Sequence, residues 1–307
     1  MTIETTGGTP GAEYGIAPPG FRMPADLRLG AVRLQVGSLE RSLAFYQGVL
    51  GLRIVRRDAG SVRLGVPESD AELMELRERA GAAPVPGRGR LGLYHFAILL
   101  PDRAALGRFI SHLAAVGERA GASDHRVSEA LYLQDPDGHG IEVYADRPRA
   151  TWRARDRELV MATEPLNMAD LVRAAGGAPW TGMPAGTVMG HVHLHVGDLD
   201  QAAAFFSEAI GFDRITWSYP GALFMSAGGY HHHLGTNTWA GPGARSSDDG
   251  DARLLEWTIE LPDAESVHEV ARSLTEGGYP ADACPDGAIT TRDPWGTGLR
   301  LRVRAGA

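Results

Sequence analysis

Apolar and polar residues alternate early in the chain and then change rhythm. Val32, Leu34 and Val36 alternate with Arg33 and Gln35, a period of two that predicts a half-buried strand. After Ser38, a capping residue, Leu43, Phe45, Tyr46, Val49 and Leu50 recur at helical spacing. Gly51 follows as the left-handed stop that a side chain would make costly. RIVRR and SVRLGV then read as two short strands. The rhythm repeats downstream. LYHFAILL predicts a strand, DRAALGRFISHLAAVG a capped amphipathic helix ending at Gly117, and EALYLQ with GIEVYAD a hairpin across the turn DPDG.

The same order recurs in the second half of the chain. LGAVRLQVGSLERSLAFYQGVLGLRIV (29–55) aligns without a gap on MGHVHLHVGDLDQAAAFFSEAIGFDRI (189–215). YHFAILLPDRAAL from Tyr94 aligns on LEWTIELPDAESV from Leu255, and DPDGHGIEV from Asp135 on DPWGTGLRL from Asp293. Three matched blocks in one order indicate a duplication. Each copy holds two βαβββ modules, so the chain holds four and is of the α+β class. The expected layout is a flexible leader (1–26), a first domain (27–147), an ordered connector (148–187) with a short helix capped by Asn167, and a second domain (188–304).

Composition narrows the range of functions. At 307 residues with 43% hydrophobic content, the chain is long enough for two cores. No apolar run approaches the roughly 18 residues of a membrane span, and the N-terminus lacks the basic-then-apolar order of a secretory signal. A net charge of −8 without a long basic run disfavours nucleic acid and acidic membranes as partners. The single cysteine, Cys284, allows neither an internal disulfide nor a cysteine metal cage. A cytoplasmic location follows, with any metal held by histidine and carboxylate. Cys284 itself reads as a bland surface or half-buried thiol. Six of the eleven histidines fall in two short segments, at 191, 193 and 195 and at 231 to 233. The first three alternate, so on a strand they share a face.

The strand ending in Asp-Leu, the helix with Phe-Tyr, the Leu-Gly-Leu/Phe turn and the DPxG hairpin resemble the vicinal oxygen chelate superfamily of glyoxalases, bleomycin-resistance proteins and extradiol dioxygenases. SEALYLQDPDGHGIEVYADRPRATW, and GHVHLHVGDL followed by SAGGYHHHLGTNTW, are similar to its two-domain, catechol-2,3-dioxygenase-like members. The resemblance spans about Leu27 to Val303. It implies that the two modules of a domain form an incomplete barrel around a cup, with ligands on the first and last strands of each module.

On that frame the second domain is the expected metal domain. Its positions are His191, seven residues before Asp198; His233, four after Gly229 as Glu142 is four after Gly138; Glu256; and Arg300, where a carboxylate would be usual. His191, His233 and Glu256 are therefore the expected ligands, of Fe(II) first and Mn(II) second. The choice among His231, His232 and His233 stays open. His193, His195, Asn237 and Arg300 are candidate catalytic residues: the histidines as acid/base groups, Asn237 as a hydrogen-bonding partner and Arg300 as a partner for an anionic substrate. The corresponding first-domain positions are Ala31, Glu75, His95 and Glu142. With Ala31 in place of a ligand, that domain is expected to be a non-catalytic support, although His95 and Glu142 could still make a partial site with Glu75. Tyr230, Trp239, Trp257 and Trp217 offer aromatic surface near the cup, and residues 240–251 form a Gly/Ser/Asp-rich loop that could act as a lid.

The implied activity is metal-dependent extradiol cleavage of a catechol-like aromatic with dioxygen, in the catabolism of aromatic compounds, by a homo-oligomer. A glyoxalase-type isomerase or lyase and a non-enzymatic binding (resistance) protein are the alternatives on the same fold.

Overall fold

The computed structural model describes residues 9–10, 13–67 and 71–306. The four modules form as the rhythm predicts. The first comprises β1 (Arg28–Val36), α1 (Leu39–Gly48), β2 (Arg53–Asp58), β3 (Ser61–Gly65) and β4 (Glu72–Glu78). The second comprises β5 (Arg90–Leu99), α2 (Arg103–Val116), β6 (Gly121–Asp124), β7 (Ser128–Gln134) and β8 (Gly140–Asp146). The connector carries α3 (Met168–Ala174). The third module has β9 (Val188–His195), α4 (Leu199–Ala202, continued by a wider π turn over Ala203–Ala209), β10 (Asp213–Thr216), β11 (Ala222–Ser226) and β12 (Leu234–Asn237). The fourth has β13 (Arg253–Leu261), α5 (Ala264–Glu276), β14 (Asp282–Ala283), β15 (Ile289–Arg292) and β16 (Gly298–Val303).

The helices start at side-chain caps. Ser38, Asp102, Asp198 and Asp263 each accept a hydrogen bond from the backbone N–H three residues on. Their apolar stripes, including Tyr46, Phe109, Phe205 and Val270, join the apolar faces of both sheets in one continuous core. Trp257, expected near the cup, lies buried in that core.

The modules pair crosswise. One curled sheet runs β10-β11-β12-β9-β5-β8-β7-β6 and joins the second module to the third. The other runs β14-β15-β16-β13-β1-β4-β3-β2 and joins the fourth module to the first. Both seams are antiparallel, with His193 opposite His95 in one and Glu256 opposite Arg33 in the other. Each cup thus takes one module from each half of the sequence, where cups made within each half were expected. Antiparallel pairing of β5 with β9 and of β1 with β13 covers the first-strand edges of all four modules, as pairing within each half also would, so the choice is made by tertiary packing and not by local edge signals.

Residues 1–8 and 11–12 of the expected flexible leader lie outside the described residues. The described part from 13 to 26 is fastened to the third module. The Met23 N–H donates to the Gly211 carbonyl, Arg22 pairs with Asp213, and the Tyr14 hydroxyl donates to the Gly229 carbonyl.

Candidate metal centre

The seam between β5 and β9 sets the site. His191 on β9 lies opposite Ala97 on β5, and Ala97 lies opposite Glu142 on β8, so the three form one row across adjacent strands. In-register side chains share a face, and the methyl of Ala97 is small enough for its two neighbours to meet over it. His95, two residues before Ala97, joins them. The Nε2 of His95 is 3.0 Å from Glu142 Oε2, the Nε2 of His191 is 3.1 Å from the same oxygen, and the two Nε2 atoms are 3.2 Å apart. All three residues are buried.

This triangle has the dimensions of a ligand face. Ligand atoms at about 2.1 Å from an ion and at right angles to one another lie about 3.0 Å apart. Without an ion the arrangement is frustrated: if both imidazoles donate Nε2–H to the carboxylate, two hydrogens face each other across 3.2 Å. A cation accepts all three lone pairs at once. Protonation states agree. Burial pulls the His191 pKa down to about 4 against the pull of Glu142, so its ring is neutral at pH 7. Burial works to raise Glu142, but its electrostatic contacts and hydrogen bonds with His191 and His95 outweigh it and hold the carboxyl well below its usual range. Two imidazole nitrogens and one carboxylate are the donor set of a divalent metal with open positions. His191 Nδ1 is buried without a hydrogen-bond partner among the described residues, so its ring is held by packing against His232 and Tyr144, with centroids at 4.0 and 5.0 Å.

A cavity of about 360 Å³ opens onto this face. His95, Glu142, His193 and His232 stand at its polar end, and Tyr94, Tyr219, Phe224 and Trp239 form aromatic walls. Met161, Ala162 and Thr163 of the connector close another side, anchored where His125 Nδ1–H donates to the Ala162 carbonyl at 2.6 Å. With that proton placed, His125 Nε2 accepts the hydroxyl of Tyr132 at 2.5 Å. Burial, and then the neighbouring Glu142 charge, keep the Tyr132 pKa well above the ordinary phenol range.

The structure brings together only part of the expected site. His191 is in the face. His233 is outside it: its Nδ1 faces the Ser226 hydroxyl at 3.0 Å and the Ala227 N–H at 3.3 Å. The four-residue offset from Gly229, matching that of Glu142 from Gly138, pointed to His233, but residues 231–233 form a bend after the left-handed Gly228 and Gly229, and the strand begins at Leu234. It is His232 that faces the cavity. Parallel pairing sets His191 beside the chain at His233, with the His233 carbonyl accepting the Val192 N–H. Two residues on, where Glu142 stands in the second module, the third module has Gly235. A Cβ there would come within 2.9 Å of the His193 ring, so this position supplies no ligand.

Glu256 lies in the other sheet, where Arg33 bridges it and Glu75 at 3.0 Å each. Arg300 is also in that sheet, paired with Asp286 and beside Cys284, and does not line the cavity. His193 does line it. Asn237 donates Nδ2–H to His193 Nε2 at 2.9 Å and accepts His195 Nδ1–H at 2.6 Å, so it orients two histidines and is itself fully buried. Burial lowers the pKa of both rings, most for His193. His195 packs against Tyr94 at the rim, outside the main cavity. The loop 240–251 is tied down, with Arg245–Ser246 pairing with β5 and Gln35 donating to the carbonyls of Asp249 and Asp251.

His95 and Glu142 stood at ligand positions in the sequence but were assigned to a supporting domain. The signal that could have joined them to His191 is the shared offset: His95 precedes Asp102 by seven residues, as His191 precedes Asp198. The roles of Tyr132, His125 and the connector wall carry no comparable motif.

A family model for the glyoxalase/bleomycin resistance protein/dioxygenase superfamily matches residues 28–143. The chain is 44% identical over 273 residues to a protein of Bacillus subtilis (strain 168) named catechol-2,3-dioxygenase, covering 88% of this chain and 94% of that one. It is 32% identical over 124 residues to the lactoylglutathione lyase of Neisseria meningitidis serogroup A, covering 38% of this chain and 88% of the lyase. Among solved structures, a Bacillus subtilis protein provisionally described as a dioxygenase superposes with a TM-score of 0.66 at 16% identity, covering 93% of this chain and 87% of the other. Glyoxalase I from Zea mays superposes at 0.56 with 20% identity, covering 90% and 92%. The fold, the offsets of His95 and His191 and the relative that spans nearly the whole chain agree: the chain belongs to the glyoxalase/bleomycin resistance protein/dioxygenase superfamily.

Proposed function

We propose that this chain is an extradiol ring-cleaving dioxygenase that uses a divalent metal, Fe(II) first and Mn(II) second, on catechols with uncharged substituents. The observation that carries the reading is the buried His95–Glu142–His191 face at the end of an aromatic-walled cavity. The likeness to the protein named catechol-2,3-dioxygenase supports it.

His95 Nε2, His191 Nε2 and Glu142 Oε2 would hold the ion. When bound, it lowers the pKa of a chelated diol and brings the diol and dioxygen together. The chain's own residues do the rest. Tyr94, Tyr219, Phe224 and Trp239 give the ring apolar and stacking surface. His193 and His232 flank the position of the hydroxyls, and burial keeps both rings neutral by holding their pKa values well below the ordinary value. Among the described residues that line the cavity there is no lysine or arginine, and the one carboxylate is Glu142. A substituent carboxylate would therefore be buried unpaired near a like charge, which is costly. Arg119 borders an adjoining groove that shares Tyr94, His95 and Tyr132 with the cavity.

The glyoxalase alternative, expected to use four protein ligands, fits less well because Gly235 supplies no donor at the fourth position. The test is oxygen uptake by Fe(II)-loaded chain. Catechol and 4-methylcatechol should consume one dioxygen each and give a yellow ring-opened product, with 3,4-dihydroxybenzoate at least about tenfold poorer in kcat/KM. Metal-loaded protein that binds catechol without consuming oxygen would refute the reading. Equal use of the carboxylated substrate would refute the uncharged-substituent part, and loss of that use in Arg119→Ala would locate the carboxylate in the groove.

A further inference from the structure

A buried chain of hydrogen bonds runs from the end of β8 to the cavity. The Tyr144 hydroxyl is 2.7 Å from that of Tyr230, and Tyr230 donates to Asp146 Oδ1 at 3.2 Å. The same Asp146 oxygen is 2.9 Å from His231 Nε2. His231 is fully buried, with the Trp152 ring at 5.3 Å and the Tyr230 ring at 4.1 Å. Its other nitrogen, Nδ1, is 2.7 Å from Nδ1 of His232.

Donor and acceptor counting fixes the direction of this chain. An ionised carboxylate only accepts, so His231 carries its proton on Nε2. With one proton on the ring, Nδ1 is then a lone pair. Two lone pairs do not bond, so His232 donates from Nδ1 and keeps its own lone pair on Nε2. Among the described residues that nitrogen has no hydrogen-bond partner, and the ring lines the cavity beside His191 and Phe224.

We infer that Asp146 and His231 are positioning residues that fix His232 as the Nδ1–H tautomer, leaving Nε2 to accept a hydrogen bond from a substrate hydroxyl. The inference rests on the dioxygenase reading for its consequence but not for its geometry. Catalytic histidines are commonly held in one tautomer by a carboxylate; here the carboxylate acts through a second imidazole. The arrangement draws Asp146 from the second module and both histidines from the third, so only the crosswise cup assembles it.

The experiment is nitrogen-15 NMR of histidine-labelled full-length chain loaded with zinc, with steady-state kinetics of the Fe(II)-loaded chain alongside. Wild type should show His232 protonated on Nδ1. His231→Leu should give mixed His232 tautomers and lower kcat by about 10–100-fold, the usual effect of an orienting partner, with KM and metal content little changed. His231→Gln, whose amide both accepts and donates, should recover most of the loss. If His231→Leu fails to fold, Asp146→Ala should scramble the same tautomer. A His232 proton on Nε2 in wild type overturns the inference whatever the activity. A kcat in His231→Gln as low as in His231→Leu, at full metal content, also overturns it. The expected tautomer in a chain that cleaves no catechol refutes the dioxygenase reading instead and leaves the positioning role standing.

Discussion

The two cups are built from corresponding strands, yet they treat charge in opposite ways. On one seam, His95, His193 and Gly235 lie across β5, β9 and β12. On the other, Glu256, Arg33 and Glu75 lie across β13, β1 and β4. The second row neutralises itself: the Arg33 guanidinium spans both carboxylates, and Arg77 adds a bond to Glu75 at 2.6 Å. The first row sets imidazole rings around open space, and the neighbouring row His191–Ala97–Glu142, with His95, leaves one carboxylate and two imidazole nitrogens converging. In the second cup the residues corresponding to His191 and Glu142 are Ala31 and Arg300. One cup carries its cation as a side chain, while the other is arranged to receive one. The difference teaches that acidic residues at a ligand position do not make a site unless their charge is left uncompensated by the protein.

The comparison breaks first at Glu142. Glu142→Gln keeps the shape but removes the charge, and should lower activity by about a thousandfold or more, because electrostatic stabilisation by the ion is worth several kcal/mol. Metal analysis and oxygen uptake on one sample check this; metal retained at full stoichiometry would count against the ligand face. The corresponding blow to the other cup is Arg33→Ala. It leaves Glu75 and Glu256 facing each other and should cost about 2–3 kcal/mol in urea unfolding, since half-buried pairs lose less than the fully buried case. Activity per bound metal should hold.

A gentler probe is pH. In the unfolded chain the histidines titrate near 6.5, whereas burial lowers His191 to about 4, His233 to about 3, and His193 and His232 well below their usual value. The unfolded chain thus binds protons more tightly, and the metal-free protein should lose stability as pH falls from about 6.5 toward 4. Asp293, raised to about 6 by burial, works in the opposite direction between about pH 6 and 4. In the second cup, burial acts to raise Glu75, but Arg77 and Arg33 prevail and lower it, so its contribution is lost only at more acid pH. Thermal unfolding between pH 7.5 and 4.5 should therefore show a slope that His191→Phe reduces and Glu75→Gln does not. A slope unchanged by His191→Phe would contradict the assignment of that range to the first cup.

The fold was legible to the level of modules because capping residues, period-two strands and turns are local signals. Ser38 and Asp102 each mark a helix start, and each helix forms there; Asp198 and Asp263, at the matching positions of the second half, cap their helices in the same way. The pairing of modules was not legible, because duplicated edges are equally compatible with two arrangements and the choice between them is tertiary. That one ambiguity displaced the site. His191, His95 and Glu142 all stood at ligand positions, but grouping modules by sequence half set His191 with Glu256 instead. The error at His233 has a local cause: the offset from glycine matched it to Glu142, but the Gly228–Gly229 turn delays the strand to Leu234, so the third-module residue at the Glu142 position is Gly235.

The central claim, that the metal centre is assembled crosswise from both halves of the chain, is tested most directly by iron stoichiometry in two variants loaded anaerobically side by side. His95→Ala, in the first half, should lose bound iron, and Glu256→Ala, in the second, should bind it as wild type does. Iron retained in His95→Ala and lost in Glu256→Ala would contradict the account and return the site to the second half alone.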